Sequence, residues 1–254
     1  MEEQIKKEEL KQVDSREEEK HNCDDDLFTD SVDSQGTVCL DIPEPFMAIR
    51  GLQIEKYLVP IFTSESESSF VGNGVIVGPY LITAAHVARN NEMGFSFLYY
   101  KFENGFKMVR DQDVVFDGRI VVSNNGNCND LIIFKLEGII GNLKCNDASI
   151  EKGTKLYSSF YSYNNDKGNI VLERNVCVVI HIGTFSLDMT TQWKNCFRVY
   201  NSHGFISGNS GCAFYKDDVL YGILLGGSDP QYRVNKYTVL DARYIKHIIG
   251  AFSE

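Results

Sequence analysis

The chain has 254 residues, 43% of them apolar and 12% aromatic. That is enough for one large domain or two small ones around a sizeable core, and it excludes wholesale disorder. The net charge is −10, but residues 1–34 hold 13 acidic against 5 basic side chains, a balance of −8, which leaves the body at only −2. A near-neutral body with no cluster of Lys and Arg excludes nucleic acid as a partner, because phosphate binding requires such a cluster.

No apolar run reaches 18 residues, so no membrane helix and no membrane partner are expected. The start, Met1-Glu2-Glu3-Gln4, is acidic where a signal peptide is basic and then apolar, and the expected location is cytoplasmic. Seven scattered cysteines (23, 39, 128, 145, 177, 196, 212) form no C-x-x-C pair. An odd, scattered set reads as free, mostly buried thiols, which fits a reducing compartment.

Residues 1–42 form an acidic tail too poor in apolar side chains to offset chain entropy, and it is expected to be disordered. A regulatory partner docking on that tail is the rival to simple solvation. From about Pro43 short runs rich in Val, Ile, Phe and Tyr recur between Gly, Asn and Asp breakers. They run Tyr57–Thr63, Gly74–Val77, Leu81–Thr83, Phe95–Phe102, Val114–Val122 and Leu131–Leu136. The second group runs Lys155–Tyr163, Ile170–Ile182, Phe197–Tyr200, Ala213–Tyr215, Val219–Leu225 and Tyr237–Leu240. Asn104-Gly105, Asn164 to Gly168 and Asp217-Asp218 read as the turns between them.

Many short strands with tight turns mean an all-β barrel or sandwich. Asp241 is placed to cap one helix over Ala242–Phe252, with Ile245, Ile248, Ile249 and Phe252 sharing a face. The break near 141–153 separates a first barrel, 43–145, from a second, 146–254, which ends in that helix.

Three local patterns carry chemistry, in the order His, Asp, Ser. The first is Gly72-Asn73-Gly74 leading through an apolar strand to Thr83-Ala84-Ala85-His86. The second is Asn129-Asp130-Leu131, and the third Ser207-Gly208-Asn209-Ser210-Gly211. A serine hydroxyl is a poor nucleophile unless an imidazole accepts its proton. A buried carboxylate fixes the imidazole tautomer and stabilises the cation that forms. The developing oxyanion needs backbone N–H donors, which a glycine in an unusual conformation can present. Singly, each pattern is common in turns and caps. Together, on a β background and 44 and 80 residues apart, they point to Ser210 as nucleophile, His86 as general base and Asp130 as its orienter.

These motifs resemble those of the trypsin-like, chymotrypsin-fold serine proteases, closest to the bacterial branch of glutamyl endopeptidases and HtrA-type enzymes. The likeness covers about residues 55–250 and implies two perpendicular six-stranded antiparallel barrels with the site between them. It implies that the N–H groups of Gly208 and Ser210 form the oxyanion hole, and that Leu225, Gly226 and Gly227 pair with the substrate backbone. It also makes His203, Gly204, Phe205 and Ile206 candidates for the substrate side-chain pocket.

Two departures matter. Asn209 stands where secreted relatives have the Asp that pairs with a freshly cut N-terminus, so that activation switch should be absent. Gly204 and Leu224 occupy the positions where Arg/Lys-specific and Glu-specific relatives carry their charge-pairing Asp and His, so the expected preference is for apolar or small residues.

The expected activity is that of a serine endopeptidase acting on a peptide or protein substrate, with no cofactor and no metal. Its rival is a catalytically idle protease-fold module that binds peptides or partner proteins. An α/β-hydrolase is excluded by order, since that fold places Ser before Asp before His. His181, His247 and His21 are read as a strand histidine and two solvated ones.

Overall fold

The computed structural model describes residues 53–89, 97–103, 105–118, 127–128, 130–186, 192–201, 204–227 and 235–252. The acidic tail, Asn129 and His203 lie outside the described residues.

The first sheet is built from β1 (Leu58–Phe62), β2 (Phe70–Val77), β3 (Tyr80–Ala84), β4 (Phe97–Phe102), β5 (Gly105–Arg110), β6 (Val114–Asp117) and β8 (Leu131–Lys135). Its strand order is β5-β4-β1-β2-β3-β8-β6. The remaining strands belong to the second sheet: β7 (Asn127–Cys128), β9 (Lys144–Cys145), β10 (Lys155–Asn164), β11 (Asn169–Ser186), β12 (Gln192–Tyr200), β13 (Ala213–Lys216), β14 (Val219–Gly227) and β15 (Lys236–Asp241). Here β11-β10-β13-β14-β15-β12 closes into a ring, because β11 pairs with both β10 and β12. The 18-residue β11 can serve two partners because register shifts at Val179/His181 and Gly183/Phe185 bend it.

The architecture is the all-β, two-barrel one expected. In detail the first sheet has seven strands, with no ladder joining β5 to β6 among the described residues, and only the second closes. The short β7 and β9 flank the last strand of the first sheet in sequence yet pair, in parallel, with β12 and β14.

Local chemistry accounts for the turns. Asp217 and Asp218 both have positive φ (52° and 57°) between paired Lys216 and Val219, the geometry of a two-residue I′ hairpin. Phe102 pairs with Gly105 and Glu103 has φ 54°, so that turn sits one residue before Asn104-Gly105.

Apolar side chains fill both sheets. Ile150, Leu156, Phe160, Val179, Phe197, Phe214 and Val239 lie inside the second ring, each contributing about 1.5–3 kcal/mol by burial. The first core, around Ile61, Val75, Ile82, Leu131 and Phe134, continues into Tyr215, Leu225 and Ile245. The closing helix α2 (Ala242–Gly250) is capped by the Asp241 carboxylate, which accepts the Arg243 N–H at 2.8 Å. It ends two residues before Phe252, whose ring still reaches Tyr80, centroids 6.4 Å apart. Glu55, ahead of β1, binds Arg174 of β11 through both carboxylate oxygens, at 2.6 and 2.8 Å, and ties the two sheets together.

Candidate active site

Strand register explains how residues 44 apart meet. β3 and β8 run antiparallel with Ala84 opposite Leu131, so the residues after Ala84 lie beside the residue before Leu131. A single helical turn, α1 (Ala85–Ala88), begins there. The Asp130 carbonyl accepts the Ala85 N–H at 3.0 Å. Its carboxylate accepts the His86 backbone N–H at 2.9 Å through Oδ1, and Oδ2 meets the imidazole Nδ1. Asp130 is 7% exposed at its side chain and His86 34%. One buried carboxylate thus holds both the backbone and the ring of His86, and leaves Nε2 as the ring nitrogen it does not engage. Beyond the turn, Arg89 binds the buried Asp117 through Nε and Asp111 at 3.1 Å through Nη2, which anchors the far end of α1.

Ser210 comes from the loop between β12 and β13. The first barrel receives that loop directly: the Asn73 N–H of β2 donates to the Ser210 carbonyl at 2.8 Å. Gly211 packs flat against the same strand, and an added Cβ would overlap the Asn73 carbonyl oxygen and the Thr83 hydroxyl. Thr83, first residue of the Thr-Ala-Ala-His run, donates to that carbonyl at 2.6 Å. Gly208 has φ 93°, in the region glycine alone adopts at little cost. Neither its N–H nor that of Ser210 has an acceptor among the described residues.

Asn209 is buried, and its Oδ1 accepts the Ile206 N–H at 2.7 Å, which closes the loop on itself. His86, Gly208 and Ser210 line one cleft of about 720 Å³, whose other walls include Phe70, Val87, Leu98, Tyr163 and Ile206. Of these walls Phe70, Leu98 and Tyr163, drawn from β2, β4 and β10, carried no sequence motif.

The candidate pocket residues divide. Phe205 turns its ring inward onto Phe160, Phe214 and Tyr237, with centroids 5.4, 5.7 and 4.8 Å away, and its N–H donates to the Tyr237 hydroxyl at 2.8 Å. Gly204 has φ 74° and lies against the same hydroxyl. Ile206 is 69% exposed on the cleft rim. Leu225 is buried in the core, while Gly226 and Gly227 end β14 opposite Thr238 and Tyr237. On its other edge β14 pairs with β13 only as far as Ile223, with Leu224 bonded to Gly211 and Cys212. Backbone groups beyond Leu224 have no strand on that side among the described residues. His181 and His247 are exposed, on β11 and α2.

Solved structures share this fold. The Rv3671c protease from M. tuberculosis, active form, superposes with a TM-score of 0.60 at 14% identity, over 84% of this chain and 89% of that one. Neuropsin, a serine protease of mouse brain, gives 0.55 at 15% over 80% and 97%. The MamO protease domain from Magnetospirillum magneticum gives 0.54 at 17% over 77% and 96%. The chain has the chymotrypsin fold. No protein-family model matches it, and no curated protein matches its sequence. The neighbours are trypsin-like, and at these identities the likeness shows the fold.

Cys212, two residues from Ser210, is fully buried, and burial pushes its thiol up to about 12. Its sulfur lies 3.7 Å from the Ser158 hydroxyl, inside the second barrel. Cys145, Cys177 and Cys196 are also free thiols whose pKa burial raises. A thiol held protonated is a weak nucleophile. Iodoacetamide at pH 8 should therefore leave Cys212 unmodified in the folded protein, and Cys212→Ala should leave turnover essentially unchanged. Rapid alkylation of Cys212 with loss of activity would contradict this. Among the described residues no cluster of three His, Cys, Asp or Glu could hold a metal, and no helix is long and apolar enough to cross a membrane.

Proposed function

We propose that the chain is a serine endopeptidase that cleaves peptide bonds through an acyl-enzyme on Ser210. The observation that carries this reading is the double grip of Asp130 on His86 beside a cleft that also holds Ser210 and the positive-φ Gly208. With Nδ1 hydrogen-bonded to the carboxylate, Nε2 is the nitrogen that accepts the Ser210 proton as Oγ attacks the scissile carbonyl. The N–H groups of Gly208 and Ser210 stabilise the oxyanion. Imidazolium then returns the proton to the leaving amine, and water attacks the ester by the same route. The substrate backbone adds to the free edge of β14 at Leu225–Gly227.

The motif sequence Gly-x-Gly, Thr-Ala-Ala-His and Gly-Asn-Ser-Gly supports a place beside the bacterial glutamyl endopeptidase and HtrA branch. The free thiols of the described cysteines support an intracellular site of action.

Specificity follows from what the loop before Ser210 lacks. Gly204, Phe205 and Ile206 bring no charge, and the Phe205 ring is spent on Phe160, Phe214 and Tyr237. Burying a charged side chain there without a partner costs several kcal/mol. A fluorogenic peptide library should therefore show turnover with cleavage after apolar or small residues. Dominant cleavage after Arg or Lys contradicts the specificity reading. Tight binding of peptides with no cleavage anywhere in the library would instead favour the idle module.

A further inference from the structure

The residue that holds the proposed oxyanion site in shape is Asn73, the middle of Gly72-Asn73-Gly74. Its side chain is buried, the residue being 2% exposed, and every polar group it has is used. Both amide hydrogens donate: one to the Tyr161 carbonyl of β10 at 3.1 Å, the other to the Gly208 carbonyl at 2.9 Å. Oδ1 accepts the Tyr161 N–H at 2.6 Å. The backbone N–H of the same residue donates to the Ser210 carbonyl at 2.8 Å.

These bonds pin two peptide planes of the nucleophile loop, the one after Gly208 and the one after Ser210. Between them lies the peptide that carries the Ser210 N–H, and before them lies Gly208 with its permissive backbone. Held at both ends, the Ser210 N–H has little freedom to turn. Only a carboxamide presents two donors and one acceptor in a single plane at this reach.

Resting on the proposed activity, we infer that Asn73 is a positioning residue, which orients the two oxyanion donors by fixing the loop that carries them and touches no substrate. Asn73→Asp is nearly isosteric. It keeps the acceptor for the Tyr161 N–H but turns an oxygen toward the Gly208 and Tyr161 carbonyls. Asn73→Ala removes the bridge without repulsion.

The test combines steady-state kinetics, normalised by active-site titration, with ¹⁵N relaxation on the 254-residue chain. Asn73→Asp should lower kcat by about 10- to 100-fold with KM within about twofold, because the lost contact acts on the transition state. In Asn73→Ala the order parameters of the Gly208, Asn209 and Ser210 amides should fall from about 0.85 toward 0.6 while those of the β-strands hold. If Asn73→Asp fails to fold, Asn73→Ala carries both readouts. Unchanged order parameters, or activity lost only in proportion to the folded fraction, overturn the inference. A wild-type chain that turns over no peptide removes the endopeptidase reading instead, and the order parameters then still decide the role of Asn73.

Discussion

Replacing Ser210 with alanine should abolish peptide turnover, by a factor of roughly 10⁴ or more, while the protein stays folded. The side chain is half-buried at the cleft. The contacts that seat its loop use backbone: the Ser210 carbonyl with Asn73 and the Gly211 N–H with Leu224, both at 2.8 Å. Removing the hydroxyl therefore takes away the proposed nucleophile and no packing. Peptide turnover and a thermal melt on the same preparation check both halves. Turnover surviving within about tenfold would mean that another group attacks, since residual catalysis by binding and oxyanion donors alone lies far lower. Adding His86→Ala to Ser210→Ala should cost almost nothing further, because the groups act as one unit.

Asp130→Asn should lower kcat by about 10³- to 10⁴-fold, and the hydrogen bonds say why. The His86 backbone N–H needs an acceptor, which the amide oxygen must supply at the Oδ1 position. That forces the amide NH₂ into the Oδ2 position, facing Nδ1. Nδ1 must then accept rather than donate, so the proton moves to Nε2, the nitrogen proposed to take the serine proton. The ring stays in place in the wrong tautomer. Stability should change little, since volume and the bond to the His86 N–H are kept, whereas Asp130→Ala would lose that bond as well. An Asp130→Asn protein with kcat within tenfold of wild type would remove Asp130 from the mechanism.

What the sequence made legible are the residues in short local patterns that the structure brings to one cleft. Thr-Ala-Ala-His shows itself because a strand ends at Ala84 and a helical turn begins there, which sets His86 at the cleft. Gly208 and Gly211 show themselves because one needs a positive φ and the other a close approach to Asn73 and Thr83. Strands long enough to alternate were legible too, and so was the Asp241 cap.

Asn73 was not legible as more than the middle of Gly-x-Gly, because its partners lie 88 and 135 residues away and no local pattern encodes them. The cleft walls Phe70, Leu98 and Tyr163 escaped for the same reason. The two-residue strands β7 and β9 are too short to show alternation and exist only through pairing with β12 and β14. Phe205 read as a pocket wall from its place before the serine. Its ring instead finds an aromatic cluster supplied by β10, β13 and β15, a preference decided by tertiary packing.

The measurement closest to the central claim is labelling of the wild-type chain with a fluorophosphonate, followed by mass spectrometry of the modified peptide. A serine activated by His86 should take up one phosphonyl group per molecule, on Ser210. His86→Ala should slow the labelling by several orders of magnitude, and Ser210→Ala should remove it. No adduct on the folded wild-type protein, or an adduct on a residue other than Ser210, would contradict the account.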